Sequence, residues 1–216
     1  MNAAKKEDTT GYGAYYFESG EAGVYNSNKD ELYAYKTYIG DQEIKTKPDG
    51  GSVLYCNDNK KTYTWQPNIE QTISSKHIAI LLPAYQCGYK VASLDQKTNL
   101  PYINGCSTRQ IFAPERDGDP TLQFLTMPPH TIEQAHHIHP TARVVYVLSG
   151  FGYSIVGQSG KETETELKKG MTCVLDPMCP HHFRTEGEYL HVVPAHIFSS
   201  TVLEQNHPMF NGTVEA

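Results

Sequence analysis

His137-Ile-His139-Pro-Thr-Ala-Arg143-Val-Val-Tyr-Val-Leu-Ser-Gly150, with Gly170-Met-Thr-Cys-Val-Leu-Asp-Pro-Met-Cys-Pro-His181 further along, decides how this chain is read. Residues i and i+2 of a β-strand point to the same face, so an HxH on a strand aims two imidazoles into one space. A third imidazole from a distant strand can complete a metal site there. Each stretch also pairs an apolar run with a glycine, at its end in the first and at its start in the second. Together they describe a metal-binding β-barrel.

Working outward, short β-like runs follow one another from Arg109 to the end of the barrel region. They are Arg109–Phe112, Thr121–Thr126, Arg143–Leu148, Gly152–Val156, Thr163–Leu167, Thr172–Leu175 and Tyr189–Val193. Strands this short, separated by regular turn residues, mean a sandwich or barrel. The absence of strand–helix alternation argues against a parallel sheet. Upstream, Ser52–Cys56, Lys61–Trp65 and His77–Leu82 are bounded by Pro, Gly and Asn and read as further strands. Twelve of the fifteen tyrosines precede residue 103, which sets the first half apart from the barrel. The expected organisation is arms or loops over 1–30, a β-rich extension packing on the barrel over 31–106, the barrel over 107–198 and a tail over 199–216.

Composition excludes several classes. With 216 residues and 38% hydrophobic content, the chain can bury one core plus an appendage. Its net charge of −6, with both signs mixed along the chain, offers no cationic face to nucleic acid. No stretch approaches the ~20 apolar residues of a membrane helix, and the start lacks an apolar signal region, so a cytoplasmic protein is expected. The five cysteines are odd in number and form no CxxC pair, so they read as thiols rather than as a disulfide framework or zinc knuckle. Asn211-Gly-Thr213 fits a glycosylation sequon but has no secretory signal to give it meaning.

The two blocks, in this order and at this separation, resemble the cupin superfamily over roughly residues 107–198. The resemblance implies an all-β jelly-roll barrel in which His137, His139 and His181 hold one divalent metal. It departs from the family pattern at Arg143, where cupins commonly carry a glutamate ligand. A cation cannot ligate a metal, which leaves three histidines, as in the gentisate and thiol dioxygenases of the superfamily. By that resemblance the metal is Fe(II), with Zn, Ni, Mn and Cu as alternatives; the expected partners are a small-molecule substrate and a second copy in a homodimer. Neutral imidazoles suit such metals and leave positions open for substrate and O2.

Arg143 has three readings. If the strand alternation holds, it faces the lumen and clamps a substrate carboxylate. If it turns outward, it pairs with Glu164 or Glu166. In a barrel that has lost its metal, it binds an anion directly. Glu133, just upstream of the HxH, is a candidate acid or base although a rim position usually means a solvated side chain. His130 shares that segment. A one-residue slip would exchange His181 for His182 as the third ligand. His136 should face away from the lumen, His191 and His196 fit supporting roles, and Cys179 fits a packing thiol. Three functions remain: an Fe(II) dioxygenase acting on a small carboxylate- or hydroxyl-bearing substrate, a metal-dependent lyase or isomerase with Glu133 or a tyrosine moving a proton, and a non-catalytic anion-binding barrel.

Overall fold

β-branched and aromatic residues alternating between Gly, Pro and Asn punctuation leave this chain little choice but strands. The computed structural model describes residues 7–27, 34–83, 85–116 and 118–197, and the tail expected over 199–216 lies outside them. Among the described residues the fold is all-β, with a single short 3-10 turn at Ile103–Gly105. No helix among them is long and apolar enough to cross a membrane.

The chain divides into two units. β1 (Ala14–Phe17) crosses their boundary. The first unit is built on β2 (Gly23–Asn26), β3 (Lys36–Ile39), β4 (Gln42–Thr46), β5 (Ser52–Cys56), β6 (Thr62–Pro67), β7 (Gln71–Leu82) and β8 (Lys90–Ser93). They run antiparallel in the order β2-β3-β7-β5-β6-β8, with β4 on the first half of β7. Leu54, Trp65, Ile78, Ile80 and Leu82 are sealed inside this unit. The Trp65 indole N–H donates to Ser52 Oγ (3.0 Å), so its polar end is satisfied while its ring is buried.

Among the described residues, the second unit holds Asp8–Tyr15, Thr98–Lys169 and the chain from Cys173 to Ile197. Its strands are β9 (Leu100–Pro101), β10 (Ser107–Phe112), β11 (Thr121–Met127), β12 (Arg143–Val156), β13 (Thr163–Lys168), β14 (Thr172–Leu175), β15 (His181–Arg184) and β16 (Leu190–His196). The sheet runs β14-β12-β16-β11-β10-β9, with β13 and β15 also pairing β12. β12 turns the barrel's corner: its first half pairs β16, and after a bulge at Val147/Ser149 its second half pairs β13 and β15. Gly150 sits at this corner with φ +86, and a Cβ there would overlap the Tyr189 carbonyl oxygen. The closing glycine of the first motif block is thus a steric requirement. Gly150→Ala should lower stability by about 3 kcal/mol or more in urea unfolding; an unchanged midpoint would refute the close approach.

Four expectations change. Residues 1–30 contain β1 and β2, whose four residues each are too few for periodicity to register. The main segment of the second unit starts at Thr98 rather than at 107, because β9 pairs β10, and Asp8–Tyr15 joins it. The runs Arg143–Leu148 and Gly152–Val156 are one strand bent at Gly150. The HxH is not on a strand: Pro140 cannot donate to a ladder, and His137 keeps only an isolated bridge to His181.

Candidate metal centre

That single bridge builds the site. His137 N donates to His181 O (3.1 Å) and His181 N to His137 O (2.8 Å), so the two side chains leave the backbone side by side. Each imidazole is oriented in the same way: His137 Nδ1–H donates to Ala135 O (2.7 Å) and His181 Nδ1–H to Cys179 O (2.7 Å). Carbonyl oxygens only accept, so both rings keep their Nε2 lone pairs free of a proton when neutral. His139 is brought in by a turn. Asp176-Pro177-Met178-Cys179 closes through Cys179 N to Asp176 O (3.2 Å), with proline second and Met178 at φ 65. The Met178 N–H then donates to His139 O (2.7 Å), tying the HxH to the segment that delivers His181.

The donor atoms of His137, His139 and His181 all lie within 4.8 Å of one another. His137 Nε2 and His139 Nε2 are 2.7 Å apart. Two nitrogens bound at right angles to one ion, at ~2.0–2.1 Å each, would lie about 2.9 Å apart. The arrangement therefore fits a transition metal, with backbone carbonyls fixing two of the three tautomers. Burial, then the neighbouring His137 and Arg143 charges, pushes the His181 imidazolium down to about 3, against the opposing Cys179 bond. Burial and then Arg143 hold His139 far below the ordinary histidine range. Both imidazoles are neutral at neutral pH.

Above this triad lies a small pocket, ≈ 30 Å³, that Arg143, Glu133, Tyr102 and Gln123 line together with His139 and His181. At ~10–15 Å³ per water it suits a ligand of few heavy atoms or one end of a larger molecule. Alternation explains the lining: Gln123 and Leu125 on β11, Arg143 and Val145 on β12, His181 and Phe183 on β15. Arg143 is 4% exposed, and its Nη1 donates to the Thr141 and Ala142 carbonyls at 3.3 and 3.4 Å. The outward pairing with Glu164 or Glu166 is thereby corrected, since Glu164 binds Arg184 and Glu166 binds Lys168.

Glu133 is also corrected from a solvated rim position. The residue as a whole is half-buried, but its Oε2 is sealed and has no hydrogen-bond partner. Burial pushes its carboxyl up to about 7, against a Phe183 backbone hydrogen bond and the Arg143 charge. Its segment is pinned by Asn104 Nδ2 donating to Ile132 O (2.7 Å) and Tyr102 OH donating to Gln134 Oε1 (2.9 Å). Sequence reasoning missed Tyr102, which comes from an aperiodic turn, and Gln123, whose signal was a polar residue in register with Leu125.

The remaining histidines divide clearly. His182 is not in the triad. Its Nδ1 lies 2.8 Å from His136 Nδ1, on the other side of the bridge, and His136 Nε2–H donates to Gly157 O (2.6 Å). His196, opposite Arg143 in the β12–β16 ladder, lines the pocket. His191 Nδ1 lies 3.2 Å from Thr126 Oγ1, and His130 lies outside the cluster. The Cys179 thiol is buried and pushed up to about 12, which suits packing rather than reactivity.

Residues 123–194 match the family model described as a cupin domain, so the chain carries a cupin domain in its second half. The crystal structure of a putative glyoxylate-induced protein from Pseudomonas aeruginosa is similar, with a TM-score of 0.58 at 14% identity over 91% of this chain and 92% of that one. This likeness is one of fold, over most of both chains. A cupin 2 conserved barrel domain protein from Leptotrichia buccalis matches with a TM-score of 0.45 at 17% identity, over 84% of this chain and 91% of that one. The polyketide cyclase RemF from Streptomyces resistomycificus matches with 0.41 at 18%, over 53% and 86%. No curated protein matches the sequence.

Proposed function

We propose that this protein is a metal-dependent enzyme acting on a small carboxylate-bearing molecule in the barrel lumen. The observation that carries this reading is that the buried guanidinium of Arg143 lines the same pocket as the three histidines. His137, His139 and His181 would hold the metal; Fe(II) is the ion we propose, with Zn, Ni, Mn and Cu as alternatives. Such an ion supplies Lewis acidity and, where it is Fe(II), the one-electron chemistry that activates O2. Arg143 binds the carboxylate through paired N–H donors and fixes the substrate's orientation. Val145, Leu175 and Phe183 wall the pocket and limit water.

In the first reading the enzyme is a mononuclear non-heme dioxygenase, with the ligand set wholly neutral and O2 the second substrate. One observation favours a second reading, a lyase or isomerase: the Glu133 carboxyl, raised to about 7 by burial, is poised to take a proton from a bound substrate. The test is O2 uptake by Fe(II)-loaded protein across a panel of small carboxylic acids. Stoichiometric uptake establishes the dioxygenase. Turnover without O2 establishes the acid–base reading. Carboxylate binding with no turnover and no bound metal would leave only an anion-binding barrel. In each case Arg143→Met should weaken small carboxylates by about 10- to 100-fold, read by calorimetry.

A further inference from the structure

Gln123 is the most out-of-place side chain in the lumen. It sits on β11 in line with Leu125 and Met127, positions where the alternation calls for apolar residues, and it is 1% exposed. Both its Oε1 and Nε2 are buried without a hydrogen-bond partner, and the side chain lines the pocket shared with Arg143 and the triad. A buried amide left unsatisfied destabilises the fold, and a leucine or methionine would fill the same space without that penalty. The side chain makes sense if a ligand completes it.

From this we infer that Gln123 recognises a neutral amide group on the substrate, so that the substrate class is a small carboxylate bearing a carboxamide. A glutamine amide offers one acceptor beside two N–H donors. A partner amide presents the reverse order, donor opposite acceptor, and satisfies both atoms. A carboxylate satisfies only the N–H groups, and it is drawn instead to the Arg143 charge, where charge-assisted hydrogen bonds are stronger. A ketone accepts one N–H and leaves Oε1 unpaired. The pocket is therefore divided, with an anion end at Arg143 and an amide end at Gln123. This assignment rests on the reading of the lumen as a carboxylate-binding site. It makes Gln123 a specificity residue, since a site built to hydrogen-bond a group rejects the analogue lacking it.

The test is calorimetric binding of two isosteric pairs to the metal-loaded protein: oxamate against pyruvate, and malonamate against acetoacetate. Each pair differs only by NH2 in place of CH3. Wild type should bind the amide member at least about tenfold more tightly in the pair whose length matches the pocket. Gln123→Met should abolish that preference while still binding pyruvate or acetoacetate, and it should melt at a higher temperature than wild type without ligand. Equal binding within both pairs, or a preference that survives in Gln123→Met, overturns the proposal and leaves Gln123 hydrated by water only. Failure of all four probes to bind wild type overturns it together with the carboxylate reading, whereas binding of all four that is lost in Arg143→Met keeps that reading standing whatever becomes of Gln123.

Discussion

His181→Ala protein should bind a divalent transition metal at least about 100-fold more weakly than wild type, and His137→Ala should match it. Loss of a supporting partner around a metal ligand already costs 10- to 100-fold in affinity, and these substitutions remove a ligand itself. The two residues are equivalent by construction: they face each other across one bridge, and each donates its Nδ1–H to the carbonyl two residues before it. His182→Ala is the control. Its imidazole pairs with His136 on the other side of the bridge, so metal affinity should stay within about tenfold of wild type. Elemental analysis and competition with a chromophoric chelator would read all three. Near-stoichiometric metal retained in both His137→Ala and His181→Ala would place the ion elsewhere and sink the three-histidine centre. Circular dichroism on the same samples separates loss of metal from loss of fold.

How much of this could be read beforehand depended on whether the information was local. The two motif blocks carried the barrel because a glycine, an apolar run and a histidine at fixed intervals are local facts. Gly150 is legible as the end of a motif block, and the Tyr189 carbonyl leaves no room there for a Cβ. The structure does bring the three histidines together, though from a different setting than expected. His137 and His139 were expected on a strand, yet they converge from a loop held by the His181 bridge and by the Met178 hydrogen bond to His139. β15, at four residues, is too short for periodicity to register, and its alternation turns His181 and Phe183 toward the pocket. Glu133 was legible as a candidate acid or base but its burial was not, and Tyr102 was not legible at all. Their placement depends on Asn104 and Gln134, contacts between segments some thirty residues apart that no periodicity reports. Arg143 could be narrowed only to three readings, and the ion pairs of Glu164 and Glu166 with other partners removed one of them.

Glu133→Gln should make the metal-free protein more stable at pH 8 and no more stable at pH 4. The folded protein holds the Glu133 carboxyl near 7, against 4.5 for the same group in water, because its charged form is buried. A group whose folded pKa is raised contributes stability that is fully present below the unfolded value. That stability is lost as pH rises through the folded value. Wild type therefore weakens between about pH 4.5 and 7, and above that range the buried carboxylate costs about 3 kcal/mol, since each pH unit separating the folded from the unfolded value is worth ~1.4 kcal/mol. Glutamine has no proton to lose and escapes this cost, so the two urea-unfolding curves should separate as pH rises and converge on acidification. Loading the metal should shrink the gap, since a nearby dication favours the carboxylate. A gap independent of pH would mean that Glu133 ionises freely in water. The same substitution should lower any proton-transfer turnover by ~10²–10⁴-fold. Stability gained and turnover lost in one variant is what a carboxyl buried for chemistry predicts, because the burial that raises its pKa toward neutrality is the burial that destabilises its charged form.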